Sequence, residues 1–152
     1  MKQCFLLSLI LVITFNSCSK VEIINLPVTT SSQEALEYYK RAMLSFQVGD
    51  APEKRALLDS ALSIDPNFVM ALELYESPDP ILKRKHRDLA KENVVNASQA
   101  EKKMISIRES YRNEDMDKAL ESAKWLVENH PESHESFVWL GQVQSDRYEL
   151  KE

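Results

Sequence analysis

Few side chains in this sequence are spaced as a reactive site would need them. His130 and His134 stand four residues apart among Glu128, Glu132 and Glu135, and on one unbroken helix that spacing would turn both imidazoles toward the same metal ion. Pro131 lies between them. Its ring ends a helix, so His130 is expected at the close of one helix and His134 at the start of the next, with no shared face. The reading is therefore no metal site and no cofactor. The one dense basic run is Lys83-Arg84-Lys85-His86-Arg87. On a helix these side chains fan around the axis, while Lys83, Arg87 and Lys91 follow one stripe at spacing four. A solvated face with Asp88 and Glu92 as local partners is expected, and contact with anionic lipid headgroups or an acidic partner is the alternative. No nucleophile elbow or isolated carboxylate pair stands out from the charged helix faces, so an enzyme is not expected. Asn96-Ala97-Ser98 has the form of a glycosylation acceptor and reads as a helix-capping turn.

The elements that must position these groups follow from composition. The chain has 152 residues, 43% hydrophobic and 28% charged, with two glycines and six prolines, which suits one compact domain. Scarce glycine disfavours a turn-rich β fold and the glycine-rich loops that cradle phosphates, leaving an all-α reading. A formal charge of −5 offers nucleic acid no general attraction.

The N-terminus opens with Lys2, an apolar run over residues 5–15 broken by Ser8 and Thr14, and then Asn16-Ser17-Cys18. This is the form of a signal peptide and is too short for a bilayer, which takes roughly 20 apolar residues. Ser17-Cys18 resembles the processing junction of bacterial lipoprotein precursors, although Phe15 and Asn16 depart from the usual pattern. The resemblance implies cleavage after residue 17 and lipid on Cys18; a plain secretory signal and an uncleaved N-terminal helix are the other readings. Acyl chains, at about 0.8 kcal/mol per buried methylene, would hold even an acidic protein on a membrane. With Cys4 removed and Cys18 acylated, no disulfide is expected. Residues 18–31, with Pro27 and a Thr/Ser cluster, read as a flexible tether. Its Val-Glu-Ile-Ile stretch, residues 21–24, suits a strand or an extended arm, but no sheet partner is in view.

Beyond the tether the periodicity is helical. Ser32 is placed to cap a helix over residues 33–48 with Leu36, Tyr39, Met43 and Phe46 on one stripe. Gly49-Asp50 ends it. Pro52 suits the first turn of a second helix, which reaches residue 64 and turns Leu57, Leu58, Ala61 and Leu62 inward. After Asp65-Pro66 a short apolar stretch, residues 68–75, is broken by Ser77-Pro78-Asp79-Pro80. Helices over residues 80–94 and 99–112 come next, then a turn at Asn113-Glu114-Asp115. Met116, Ala119, Leu120, Ala123, Leu126 and Val127 mark the next helix, and Phe137, Leu140, Gly141 and Gln144 begin the last. This makes seven helices, mostly in antiparallel pairs.

Helix, turn, helix, Asp65-Pro66 recurs as helix, turn, helix, His130-Pro131, two periods of a repeat of roughly 34 residues. With this spacing, residues 32–148 resemble a tetratricopeptide-repeat protein. Tyr38 and Ala42 stand at the family's large and small positions of the first helix, Ala61 and Pro66 at the small residue of the second helix and the closing proline, and in a later unit Ala119 stands at the small residue early in the second helix and Pro131 at the closing proline. Phe137, Leu140 and Gly141 match the opening of another unit. Lys54, Lys103 and Ile107 depart from the pattern. The resemblance implies a right-handed superhelix of stacked helix pairs, an α-solenoid of about three and a half pairs. It also implies a concave groove for a protein or peptide, for which Tyr39, Met43, Gln47, Arg108, Arg112 and Gln142 are the candidate lining residues. The last helix carries an apolar stripe of Phe137, Val138, Leu140 and Val143, so it either docks as a cap or continues into a longer protein. The expectation is a lipid-anchored envelope protein that binds protein partners. A glycan-binding outer-membrane lipoprotein and the N-terminal region of a longer enzyme are the alternatives. The sequence leaves the oligomeric state open.

Overall fold

The computed structural model of the chain describes residues 25–149; Cys4, Cys18, the signal segment and residues 18–24 of the expected tether lie outside the described residues. The fold is all-α, as expected. In order it comprises α1 (Gln33–Gln47), α2 (Ala51–Ile64), α3 (Val69–Glu73), α4 (Pro80–Asn93), a 3-10 turn (Val94–Asn96), α5 (Gln99–Arg112), α6 (Met116–Asn129) and α7 (His134–Glu149). Side-chain caps set several of these boundaries. Ser32 Oγ accepts from the Ala35 N–H at 3.3 Å, Asp50 from Glu53 at 2.9 Å, Asp79 from Ile81 at 2.8 Å and Asp115 from Lys118 at 3.0 Å. Ser98 and Glu101 form a reciprocal capping box at the start of α5, which satisfies two otherwise free amides.

α1 packs on α2, and α5 on α6, while α7 lies against α6 and α4 against α3. The two main hairpins repeat each other at an offset of 65 residues, down to the backbone hydrogen bonds of their turns. Asp50 N–H donates to the Ser45 carbonyl at 2.9 Å, and Asp115 N–H to the Ser110 carbonyl at 2.9 Å. At the far ends, Asp65 N–H donates to Ala61 and His130 N–H to Leu126, again both at 2.9 Å. The left-handed turn residue is Gly49 in the first hairpin (φ 80°) and Glu114 in the second (φ 59°). Glycine takes that conformation freely, whereas Glu114 adopts it at a steric cost of roughly 1 kcal/mol. Ala42, Ala61 and Ala119 are fully buried where the helices cross. Tyr38 packs half-buried on the core, and Pro66 and Pro131 sit exposed after the helix ends. At α7, Leu140 packs on the core and Val143 is fully buried, while Phe137 and Val138 are half exposed; Gly141 faces open space.

The two hairpins differ in the helix that comes next. After the first hairpin comes a helix of five residues, α3, and after the second the long α7. All of residues 68–75 are buried. Phe68 is fully enclosed with its ring 5.0 Å from Tyr39, and the Tyr75 hydroxyl donates to Asp59 at 2.7 Å. Burial, reinforced by that hydrogen bond, raises the Tyr75 phenol to about 12. The segment also brings a carboxylate inside. The Glu73 side chain retains 1% of its exposure, and its Oε1 lies 2.8 Å from Arg112 Nη1 and 3.2 Å from Arg108 Nε. Arg108 additionally donates to the Glu73 carbonyl at 3.4 Å.

Removing one member of a buried ion pair is more damaging than never having built it, since the remaining charge loses its partner out of water. The two guanidinium groups keep a quarter to a third of their exposure, so the cost falls at the lower end of the usual range. Glu73→Ala is expected to lose about 3 kcal/mol in urea unfolding, and Glu76→Ala, an exposed neighbour, less than about 0.5 kcal/mol.

Candidate functional site

The six expected groove residues do not form one open surface. Tyr39 retains 4% of its exposure and belongs to the core, packed on Phe68. Its hydroxyl is buried without a hydrogen-bond partner, and burial, with Glu135 and Glu101 nearby, pushes the phenol well above its ordinary range. Met43 is half-buried against the core and Gln47 is exposed. Arg108 and Arg112 are brought together, but by Glu73, which occupies both. Gln142 lies exposed on α7 and donates to Asp146 one turn on. Tyr111, in the last turn of α5, also reaches Asp146 at 2.7 Å, so α5 and α7 are linked directly.

On α4, Lys83 and Lys91 are exposed and Arg87 half-buried. Ala90 is the helix's one fully buried residue. The ion pair described on this face, Arg84 to Asp88 at 3.8 Å, is solvent-exposed; such pairs contribute little. His86 turns inward against the Tyr75 ring at 4.3 Å, and burial lowers its imidazole below the ordinary value. His130 caps α6 and approaches Glu132 at 3.7 Å, with His134 exposed at the start of α7. Among the described residues no three His, Cys, Asp or Glu side chains gather in a metal-binding geometry, and no helix is long and apolar enough to cross a membrane.

What sequence reasoning missed is a row of carboxylates that receives residues 25–31. These residues fall within the stretch expected to be a tether, yet they lie across the ends of three helices with Leu26 only 3% exposed. Leu26 N–H donates to Glu135 of α7 at 3.1 Å. Thr29 donates twice to Glu101 of α5, from its N–H at 2.9 Å and its hydroxyl at 2.7 Å. The Thr30 hydroxyl and Ser31 N–H both reach Asp65, the C-cap of α2, at 2.7 and 2.8 Å. Ser98 Oγ closes the set by donating to the Pro27 carbonyl at 3.2 Å. An extended chain without sheet partners must find acceptors for its amides elsewhere, and here helix-end carboxylates supply them. Glu101 was legible as a capping residue from Ser-x-x-Glu; its second task, holding the arm, leaves no local sequence signal.

The two outer carboxylates titrate in opposite senses. Burial raises Glu135 above its ordinary 4.5, with the Leu26 amide, the Trp139 indole and His134 pulling it partly back. Burial also pushes Asp65 upward, but the hydrogen bonds from Thr30, Ser31 and Asn67 outweigh it and hold the group below 3.8.

No family model matches the chain, and no curated protein or solved structure matches it either.

The opposite shifts separate in a pH series. A raised carboxyl binds its proton more tightly in the fold, so the contribution of Glu135 is present below 4.5 and is lost as pH rises through the folded value. Glu135→Gln, which keeps an acceptor for Leu26, is therefore expected to gain on the wild type from pH 4 to pH 7 in urea unfolding. Asp65 has the reverse sign: its contribution is present above 3.8 and lost as pH falls through the folded value. Asp65→Asn is expected to cost about 1–2 kcal/mol at pH 7, with the gap closing in acid.

Proposed function

We propose that the chain is a lipid-anchored protein of a bacterial cell envelope, whose helical hairpins act as a tetratricopeptide-like module that binds protein or peptide partners. The observation that carries this reading is the 65-residue repetition of the α1–α2 hairpin in α5–α6, turn for turn. Hairpins of one geometry held on a folded core offer a preformed surface, so binding loses little free energy to ordering the receptor. The anchor rests on the lipoprotein-like junction Ser17-Cys18. Held at a membrane, the module meets its partners at raised effective concentration, and contacts that are weak individually suffice. The reading assigns partner contacts to the exposed members of the groove set, Gln47 on α1 and Gln142 on α7, with the half-buried Met43 and the half-exposed Phe137 beside them on those helices. The basic stripe of Lys83, Arg87 and Lys91 adds a contact for anionic headgroups where α4 lies near the membrane. The work is done by binding, without a catalytic step.

Two readouts test the two halves separately. Metabolic labelling with a palmitate analogue is expected to mark the wild type and not Cys18→Ala, and fractionation is expected to find only the wild type on membranes; unlabelled wild type removes the anchor. A photo-crosslinking residue at Gln47 or Gln142 is expected to give a discrete adduct in cells that the same residue at Lys124, exposed on α6, does not. Equal labelling from all three positions removes the binding surface.

A further inference from the structure

At one buried position the first hairpin carries a charged residue where the second carries an apolar one. Ala119, near the start of α6, is fully buried between helices, and its equivalent 65 residues earlier is Lys54 of α2. Lys54 is enclosed nearly as well, at 6% exposure. Among the described residues its ammonium makes no hydrogen bond and has no carboxylate within ion-pair distance; it sits 4.5 Å from the centre of the Phe46 ring. The stem is enclosed while the ammonium opens onto solvent, and its three donors have no protein acceptor among the described residues. A cation–π contact makes up only part of that lack.

The space around it has a structural cause. In the second hairpin the following helix, α7, runs on well past Val138, the equivalent of Glu73, whereas α3 stops at Glu73. Arg55 then holds the Glu76 carbonyl at 3.0 Å, and the chain turns away toward Pro78. The result is a cleft of about 240 Å³ lined by Phe46, Gly49, Ala51, Lys54, Arg55, Leu58 and Glu76. It is smaller than the roughly 300–1,000 Å³ that encloses a drug-sized ligand.

The charges around the cleft favour an anion. Lys54 and Arg55 line it, and Arg108 is close enough to act on Lys54. The nearby acids are mostly occupied: Glu73 by Arg108 and Arg112, and Glu53 by the Ser45 hydroxyl at 2.8 Å. Glu76 is the acid on the rim. Phe46, Ala51 and Leu58 supply apolar wall. We propose that this cleft is a binding site for a small organic carboxylate with a short apolar chain, its carboxylate on Lys54 and its chain against Phe46 and Ala51. Burial lowers the Lys54 ammonium from its ordinary value, with Glu76 opposing and Arg108 adding to the shift. The site is independent of the lipid anchor and of any protein partner.

The test is an NMR titration of the full chain with hexanoate, acetate and hexan-1-ol. Hexanoate is expected to give saturable shifts at the amides of Gly49, Ala51, Lys54 and Leu58. A charge-assisted hydrogen bond contributes about tenfold or more in affinity, so hexan-1-ol is expected to bind at least about tenfold more weakly, and acetate, lacking the chain, also more weakly. Lys54→Met, close in size, and Lys54→Ala, which installs the residue of the second hairpin, are both expected to keep the wild-type melting curve and lose hexanoate binding. If hexan-1-ol or acetate matches hexanoate, if a folded Lys54 variant binds as before, or if no saturable shift occurs around the cleft, the assignment is overturned.

Discussion

A carboxylate held out of water joins the two halves of this molecule. Glu73 is at the end of a helix only five residues long, too short to be stable by itself, and its position is fixed by Arg108 and Arg112 one turn apart on α5. Spacing four places both guanidinium groups on one face of α5, so a single carboxylate registers α3 against that helix. Around it, residues 68–75 are buried throughout, and apolar contact with Tyr39 on one side and Tyr75 with His86 on the other completes the join. Taking three charges partly out of water is costly, and the geometry of the two short contacts offsets that cost. In return α3 has a defined place between α2 and α5, both of which it touches.

The arm is a second join of the same chemical kind. Three carboxylates at helix ends, Glu135, Glu101 and Asp65, take the amides and hydroxyls of residues 26–31 in sequence order. The N-terminal segment thereby spans α7, α5 and α2 before α1 begins, and ties together helices far apart along the chain. Hydrogen bonds to charged acceptors are stronger than neutral ones. That they also serve as caps, at Glu101 in particular, means that loosening the arm disturbs the start of α5 as well.

Much of the fold was legible because helix boundaries have local chemistry. Ser32, Asp50, Asp79, Ser98 and Asp115 cap where the sequence puts a short polar residue before an apolar period, with Gly49 or Pro78 just ahead of two of them. Seven helices could be read from that. The joins between them were not legible, because they depend on which distant groups meet. The interior place of Tyr39, expected in the groove, is decided by Phe68 of α3, and the engagement of Arg108 and Arg112 by a buried Glu73. Neither residue is near them in sequence. The arm escaped for the complementary reason: an extended segment has no period to detect, and its acceptors are single carboxylates on three separate helices.

The repetition explains where the exceptions fall. Two hairpins with the same turns need the same small residues only where their surroundings are the same, and the surroundings differ on one side: a long α7 comes after the second hairpin and a short α3 after the first. At Ala35 and Ala100 both copies keep the same small residue, buried in each. At Lys54 and Ala119 they diverge. In the second hairpin Ala119 is fully buried and α7 runs on past this level, whereas in the first α3 has ended and Lys54 lines a cleft. Pro78 and Pro80 keep the chain from continuing as one helix, and Glu73 with its arginines fixes the place of α3 ahead of that break. The short α3 thus leaves the first hairpin open at one end, and Lys54 lies in that opening.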